Sequence, residues 1–354
     1  MSRYFSEKYS GLVAYTPGEQ PRDMRYVKLN TNESPFPPSP LAQEMARQEA
    51  QKLQLYSDPE CRDLVAAAAE ELGVAKDEIV FTNGSDDILN FAFMAFCDEA
   101  HPAVFPDITY GFYPVFADLN HVPYETVPLR EDFTVCVEDY LGVNRTVFLA
   151  NPNAPTGIAL PLSDIERIVR SNPDNVVVID EAYVDFGGES AQALIPKYDN
   201  LLVVRTFSKS RSLAGARLGF AMGNRELIRD LNTIRYSTNP YNINRMTMAA
   251  GVGALRDWAY FASCCEQTRQ IRAWTTRELR ALGFTMPDSS ANFVFAAHPK
   301  LDGGELYETL KKRGILVRHF NGARLKNYNR ITVGSMEQMQ CLVDAVRTIL
   351  EETK

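Results

Sequence analysis

The chain has 354 residues, 45% of them hydrophobic, and a formal net charge of −8. That length supports one large core or two cooperating ones, and the acidic balance excludes a general nucleic-acid binder, which needs a basic footprint. Six scattered cysteines without a CxxC pair, and four histidines, predict neither a metal site nor a disulfide framework.

The opening MSRYFSEKYSGLVAY has no apolar core of a signal peptide. No apolar run approaches the ~18 residues of a membrane span. The expectation is a cytoplasmic protein with no membrane partner. Residues 1–40 are irregular, punctuated by Pro17, Pro21, Pro35, Pro37, Pro38 and Pro40. They read as an arm lying over something. Helices follow at about 41–53 and 60–73, the second stopping at Gly73.

From residue 79 short apolar runs end in polar clusters and helices follow. IVF ends at TNGSDD, TVFLA at NPNAPTG, NVVVID at EAY, and LLVV at RTFSK. Runs such as VVVI do not alternate, so both faces are covered, as in parallel strands between helices. The fold class is therefore α/β, a doubly wound, mostly parallel sheet flanked by helices. Ligands bind such sheets beyond the carboxyl ends of the strands, where the four polar clusters lie. FAFMAF at 91–96 reads as a core helix. From about residue 227 the pattern turns helical, longest over 247–280. NFVFAA, GILVRHF and RITVGS then read as strands of a smaller α+β unit, and a last helix starts near Met336. The expected division is an arm at 1–40, a large domain at 41–245 and a small domain at 246–354.

Asp180 follows four apolar residues. A buried carboxylate is costly unless it is paired. It suits either the N-cap of the next helix or a partner for a protonated ring nitrogen. Gly84 between small polar residues offers backbone N–H groups to an anion, although Ser85 or Asp86 also suits an ordinary cap. In TFSKSRSLAGARLGF, Lys209 stands among hydroxyls with Arg217 eight residues on. Thr206, Ser208, Arg217 and a helix N-terminus satisfy a phosphate. Nearby cations favour the neutral amine of Lys209, the form that makes Schiff bases. A phosphorylated aldehyde with a ring nitrogen near Asp180 describes pyridoxal phosphate.

With these blocks, and with YTPGEQ, LNTNESP, TYGFY, DEAYVDF, GILVR and RITVG, the whole chain resembles the fold type I pyridoxal-phosphate aminotransferases. Within them it looks most like the histidinol-phosphate group. The resemblance implies that Lys209 forms the Schiff base and shuttles the proton at the substrate Cα, and that Asp180 keeps the pyridine nitrogen protonated. It implies that Tyr183 bonds the phenolic oxygen, that Tyr110 stacks on the ring, and that Gly84, Ser85, Asp86, Thr206, Ser208 and Arg217 surround the phosphate. Tyr56 would reach the phosphate of a neighbouring subunit in a homodimer. Tyr15, Arg318 and Arg330 would hold the acidic group of an amino donor, histidinol phosphate, and of the acceptor, 2-oxoglutarate. The family usually has asparagine immediately before PTG; here it is Ala154, so either Asn153 takes over or Tyr183 works alone. An aromatic amino acid aminotransferase and a phosphothreonine decarboxylase are the alternatives that share this chemistry.

Overall fold

A computed structural model of the chain describes residues 2–353. The apolar runs form the centre of a seven-stranded sheet. Its strands are β2 (Ile79–Thr82), β3 (Ala103–Pro106), β4 (Tyr124–Val127), β5 (Thr146–Ala150), β6 (Val177–Asp180), β7 (Leu201–Thr206) and β8 (Gly219–Gly223), in the order β2-β8-β7-β6-β5-β3-β4. The strands from β7 through β4 are parallel, and β8 runs antiparallel to both β7 and β2. Two reversals cancel, so β2 points the same way as β7. The polar clusters after β2, β5, β6 and β7 therefore share one edge. The register aligns Thr82, Gly219 and Thr206 across three strands, and Ala150, Asp180 and Val204 across three others.

Side chains alternate along a strand, so an uninterrupted apolar run fills both faces. Val147, Leu149, Val177, Ile179, Leu201 and Val203 enter one core, while Phe148, Val178, Leu202 and Val204 enter the other. The second core is closed by α3 (Ser85–Phe96), α4 (Phe112–Leu119) and α6 (Arg225–Thr238). Phe93 of α3, inside the FAFMAF run, stacks on Phe148 with centroids 4.1 Å apart. Each such buried side chain contributes about 1.5–3 kcal/mol.

The first core is covered by α1 (Pro40–Glu49), α2 (Arg62–Leu72), α5 (Leu162–Ser171) and α7 (Arg245–Arg256). Ser39 caps α1 by accepting from Ala42 N, and Gly73 ends α2 at φ +67°. The helical stretch expected over 247–280 is two helices, α7 and α8 (Trp258–Ala281), broken at Asp257, whose ψ of 58° leaves the helical region. Because α7 packs on the large sheet with α1 and α2, the smaller core starts beyond it. That core is built from α8, α9 (Gly303–Lys312), α10 (Met336–Glu352) and a sheet of β9 (Phe293–Ala297), β11 (Arg318–His319) and β12 (Tyr328–Thr332). The arm is stitched to it: β1 (Val27–Lys28) pairs in parallel with β10 (Ile315–Leu316), and Leu29 is fully buried there.

The α1–α7 contact is backbone-close. A Cβ at Gly253 would lie 2.6 Å from Ala42 Cα. Gly253→Val is expected to force the helices apart and destabilise the chain by about 1–3 kcal/mol, the usual size of an overpacking penalty. Urea unfolding reads this directly, and an unchanged midpoint would mean that α1 and α7 separate without cost.

Candidate active site

The carboxyl edge of the sheet opens into a cavity of about 390 Å³, within the usual range for a small-molecule site. Each strand end contributes to it: Ser85 and Asp86 follow β2, Ala150 and Ala154 close β5, Asp180 and Tyr183 end β6, and Thr206, Ser208 and Lys209 end β7. Arg217 reaches in from the turn before β8.

Helix α3 starts at Ser85 with Gly84 as its N-cap, and no side chain caps it. The ordinary capped start allowed by the sequence is therefore not what forms. Orphan N–H groups remain at the first turn, a ready anion site. Gly84 has φ +86°, and a Cβ there would lie 2.6 Å from the Arg217 guanidinium. Only glycine lets the arginine lie over the helix start. Arg217 pairs with Asp86 at 2.8 Å, and Tyr110 Oη donates to the other Asp86 oxygen at 2.6 Å. Thr206 Oγ1 bonds Ser208 Oγ at 3.0 Å. Two hydroxyls, one guanidinium and a free helix start form the donor set of a phosphate monoester.

Lys209 Nζ donates to the carbonyl of Thr31 at 3.1 Å and lies 5.8 Å from the centre of the Tyr183 ring. Burial, then the Arg330 and Arg217 cations, bring its amine down to about 8, against the pull of Glu33 and Asp86. Asp180 is 5% exposed. Burial pushes its carboxyl up to about 7, although Tyr113 Oη at 3.1 Å and Ala182 N at 3.2 Å both donate to it. The carboxylate thus serves the local turn and faces the cavity at once. Behind Lys209, Ser210 donates to Asp185, which pairs with Arg205 and anchors the loop.

Most residues expected from the sequence converge here. Asn153 does not. Its amide donates to Ile108 O at 3.0 Å and Thr156 Oγ1 at 3.3 Å, and its side chain lines the neighbouring cavity. Its hydrogens are spent on its own loop and on the segment after β3, while Ala154 lines Lys209's cavity. Arg330 lies near enough to Lys209 and Tyr183 for its charge to act on both, its guanidinium donating to Asn30 O at 3.0 Å, and it is half-buried over Phe293 and Phe320. Arg318 donates to the carbonyls of Thr16 and Pro17. Tyr15 stacks on Phe112 at 4.0 Å. Tyr56 lies apart, 79% exposed and stacked on Tyr241. The sequence reading missed Tyr113, Thr31 and Asn32. Tyr113 falls in the quoted TYGFY block, one turn from Tyr110, but its contact is with Asp180, 67 residues on. Asn32 donates to Tyr183 Oη at 3.0 Å.

The two charge displacements have a readable consequence in the cofactor-free protein. The folded state holds Lys209 at about 8 against an ordinary 10.5, so it binds fewer protons than the unfolded chain between these values. The cost of burying the cation is full below pH 8 and disappears as pH rises toward 10.5. Lys209→Met is expected to gain on the order of 3 kcal/mol at pH 7, at about 1.4 kcal/mol per unit, and almost nothing at pH 10.5. Urea midpoints of both proteins across this range test it, and a pH-independent difference would contradict it.

Comparison with known proteins agrees with this geometry. The family model of aminotransferase class I and II matches residues 25–346. The histidinol-phosphate aminotransferase 2 of Dechloromonas aromatica is 48% identical, with 99% of each chain covered. That of Brachyspira hyodysenteriae is 46% identical over 99% of this chain and 100% of its own. Among solved structures, the histidinol-phosphate aminotransferase of Sinorhizobium meliloti, in complex with pyridoxal-5'-phosphate, superposes with a TM-score of 0.84 at 26% identity, covering 92% of each chain. The chain belongs to the class I and II aminotransferases.

Proposed function

We propose that this protein is a histidinol-phosphate aminotransferase that exchanges an amino group between histidinol phosphate and 2-oxoglutarate with pyridoxal phosphate at Lys209. One observation carries the choice of substrate. Arg330 is a half-buried guanidinium whose Nε is shielded from solvent without a partner, and which no carboxylate pairs among the described residues. A buried cation without a counter-charge is costly, so the site is built for an anion brought by the substrate. Arg318, which donates to the arm at Thr16 and Pro17, and Tyr15 of the arm itself would complete that anion site. Guanidinium groups accept phosphate and carboxylate alike, which suits a pair of substrates differing in just that group. The relatives of 46% and 48% identity bear the same name along their full length.

The residues fit the cofactor. Thr206, Ser208, Arg217, Gly84 and the N–H groups of Ser85 and Asp86 would hold its phosphate, Asp180 its ring nitrogen, Tyr183 its phenolic oxygen and Tyr110 the ring face. When bound, pyridoxal phosphate supplies an aldehyde for the amine and a protonated ring that takes up the electron pair released at the substrate Cα. Lys209 supplies the nucleophile, because its depressed amine is substantially neutral near pH 8. Once the substrate amine holds the cofactor's carbonyl carbon, the same Nζ would be free to take the proton from Cα. Asp180 works as an ionised acceptor. The Tyr113 hydroxyl and the Ala182 N–H hold it in that form when a cation lies opposite.

The active unit we propose is a homodimer. Leu53, Leu55, Tyr56 and Tyr241 are exposed at 59, 56, 79 and 43% around one segment, an apolar strip that a second copy would cover. Tyr56 would then serve the neighbouring phosphate. Mixing Tyr56→Ala with Lys209→Ala protein tests this. After subunit exchange, half the dimers carry one intact site, so about a quarter of wild-type activity is expected from symmetry. Activity no greater than the two variants give separately would exclude a shared site.

The reaction is tested by absorbance in a single half-turnover. Protein loaded with pyridoxal phosphate should convert rapidly to the pyridoxamine form on adding histidinol phosphate, and return with 2-oxoglutarate. Conversion only with phenylalanine or tyrosine would move the assignment to the aromatic enzymes. Carbon dioxide release from phosphothreonine, without amino transfer, would move it to the decarboxylase.

A further inference from the structure

The phenol of Tyr183 is gripped by one amide, that of Asn32, and the hydrogen atoms of the contact can be assigned. Asn32 is 1% exposed and sits at φ +56°, a conformation that asparagine tolerates better than most residues. Its backbone N–H, which can only donate, bonds Thr332 Oγ1 at 3.0 Å. Thr332 has one hydroxyl proton, and Asn32 Oδ1 accepts it at 3.0 Å. Turning the amide over would leave that proton without an acceptor in a residue 2% exposed. Asn292 Nδ2 further pins the segment by donating to Asn32 O at 3.0 Å. The amide nitrogen therefore faces Tyr183 and donates to Oη at 3.0 Å. Tyr183 must accept there, and its own proton is left for the cavity.

Ala154, in the same small apolar cluster as Tyr183, explains why this matters. Ala154 lines the cavity with a methyl where the family's usual asparagine would supply an N–H, and Asn153 has committed its hydrogens elsewhere. We propose that Asn32 is a positioning residue, which fixes the Tyr183 phenol as a donor into the cavity and so offsets the donor missing at Ala154. The inference rests on the reading that pyridoxal phosphate binds at Lys209, its phenolic oxygen being the acceptor.

Asn32→Asp reverses the polarity with almost no change in shape. A carboxylate only accepts, so it would take the Tyr183 proton away from the cavity. The readout is the pH midpoint of the visible absorption of the pyridoxal-phosphate-loaded protein, which rises when the phenolic oxygen loses a donor. The expected shift in Asn32→Asp is upward by roughly one to two pH units, the size of one hydrogen bond to a charged oxygen, matching Tyr183→Phe. Adding Ala154→Asn should bring the midpoint back toward wild type. Thr332→Val, which frees the amide to turn, should shift it in the same direction by less, and carries the test if Asn32→Asp does not fold. A wild-type midpoint in the folded Asn32 and Thr332 variants, with Tyr183→Phe shifted, overturns the inference and leaves the cofactor reading intact, even if their thermal stability falls. An unshifted Tyr183→Phe overturns it too. If the wild-type protein takes up no cofactor, both readings fall together.

Discussion

Three consecutive carbonyls hold the site together. The backbone oxygens of Asn30, Thr31 and Asn32 accept from Arg330, Lys209 and Asn292 in turn, at 3.0, 3.1 and 3.0 Å. Two of these donors belong to the smaller sheet region and one to the end of β7. The same short segment also receives Thr332 N at Leu29 O and sends Leu29 N to Leu316 O. A backbone carbonyl keeps its acceptor whatever the side chain, so the segment works as a seam between the two cores. A cation that lacks a carboxylate partner is given a dipole instead, which steadies it without neutralising it. Arg330 thereby keeps its full charge for an incoming anion.

Burial drives the functional groups in opposite directions. It lowers the Lys209 amine and raises the Asp180 carboxyl, each toward neutrality near pH 7 to 8. Neither group pairs with the other. Cations around Lys209 reinforce the effect of burial, while hydrogen bonds around Asp180 oppose it. The lysine is thus biased toward a nucleophile, and the acid is kept ready to ionise against a cation. The two reversals around β8 bring the ends of β2 and β7 to one edge. Without them the helix start after β2 would face away from Lys209.

The strand-end logic was legible because buried parallel strands cannot hide their composition. VVVI and LLVV announce two covered faces, and a charged or small polar residue at the end of such a run has few structural excuses. Asp180 and Lys209 were found that way, and Arg217 followed from its place eight residues beyond Lys209. Their spacing in sequence also follows the crossover connections, so local pattern and site coincide. Asn32 and Tyr113 meet Tyr183 and Asp180 across separations of 151 and 67 residues, and no periodicity reports those contacts. The break at Asp257 was equally silent, since neither glycine nor proline marks it. The stand-in suggested for Ala154 was reasonable by adjacency, but the amide hydrogens of Asn153 are engaged by Ile108 O and Thr156 Oγ1, contacts that adjacency does not report. Tyr56 is a different case. Its surroundings within one chain are solvent and Tyr241, so its assignment rests on the family resemblance alone.

The depressed amine of Lys209 carries an obligation with it. A neutral amine in a cavity open to small molecules condenses with aldehydes in general, sugars and metabolic by-products included, because the nucleophile itself has no means of telling them apart. Discrimination has to come from the shell of donors that waits for a phosphate ester, chiefly Arg217, the hydroxyls of Thr206 and Ser208, and the bare start of α3. Asp86 pairs with Arg217 and accepts from Tyr110 with its own carboxylate, and a phosphate competes with it for those donors. An aldehyde without an anionic tail must therefore leave that ion pair closed and forgo its contacts. The shell acts as a filter on carbonyl chemistry, and the fidelity of the lysine is a property of the strand ends around it.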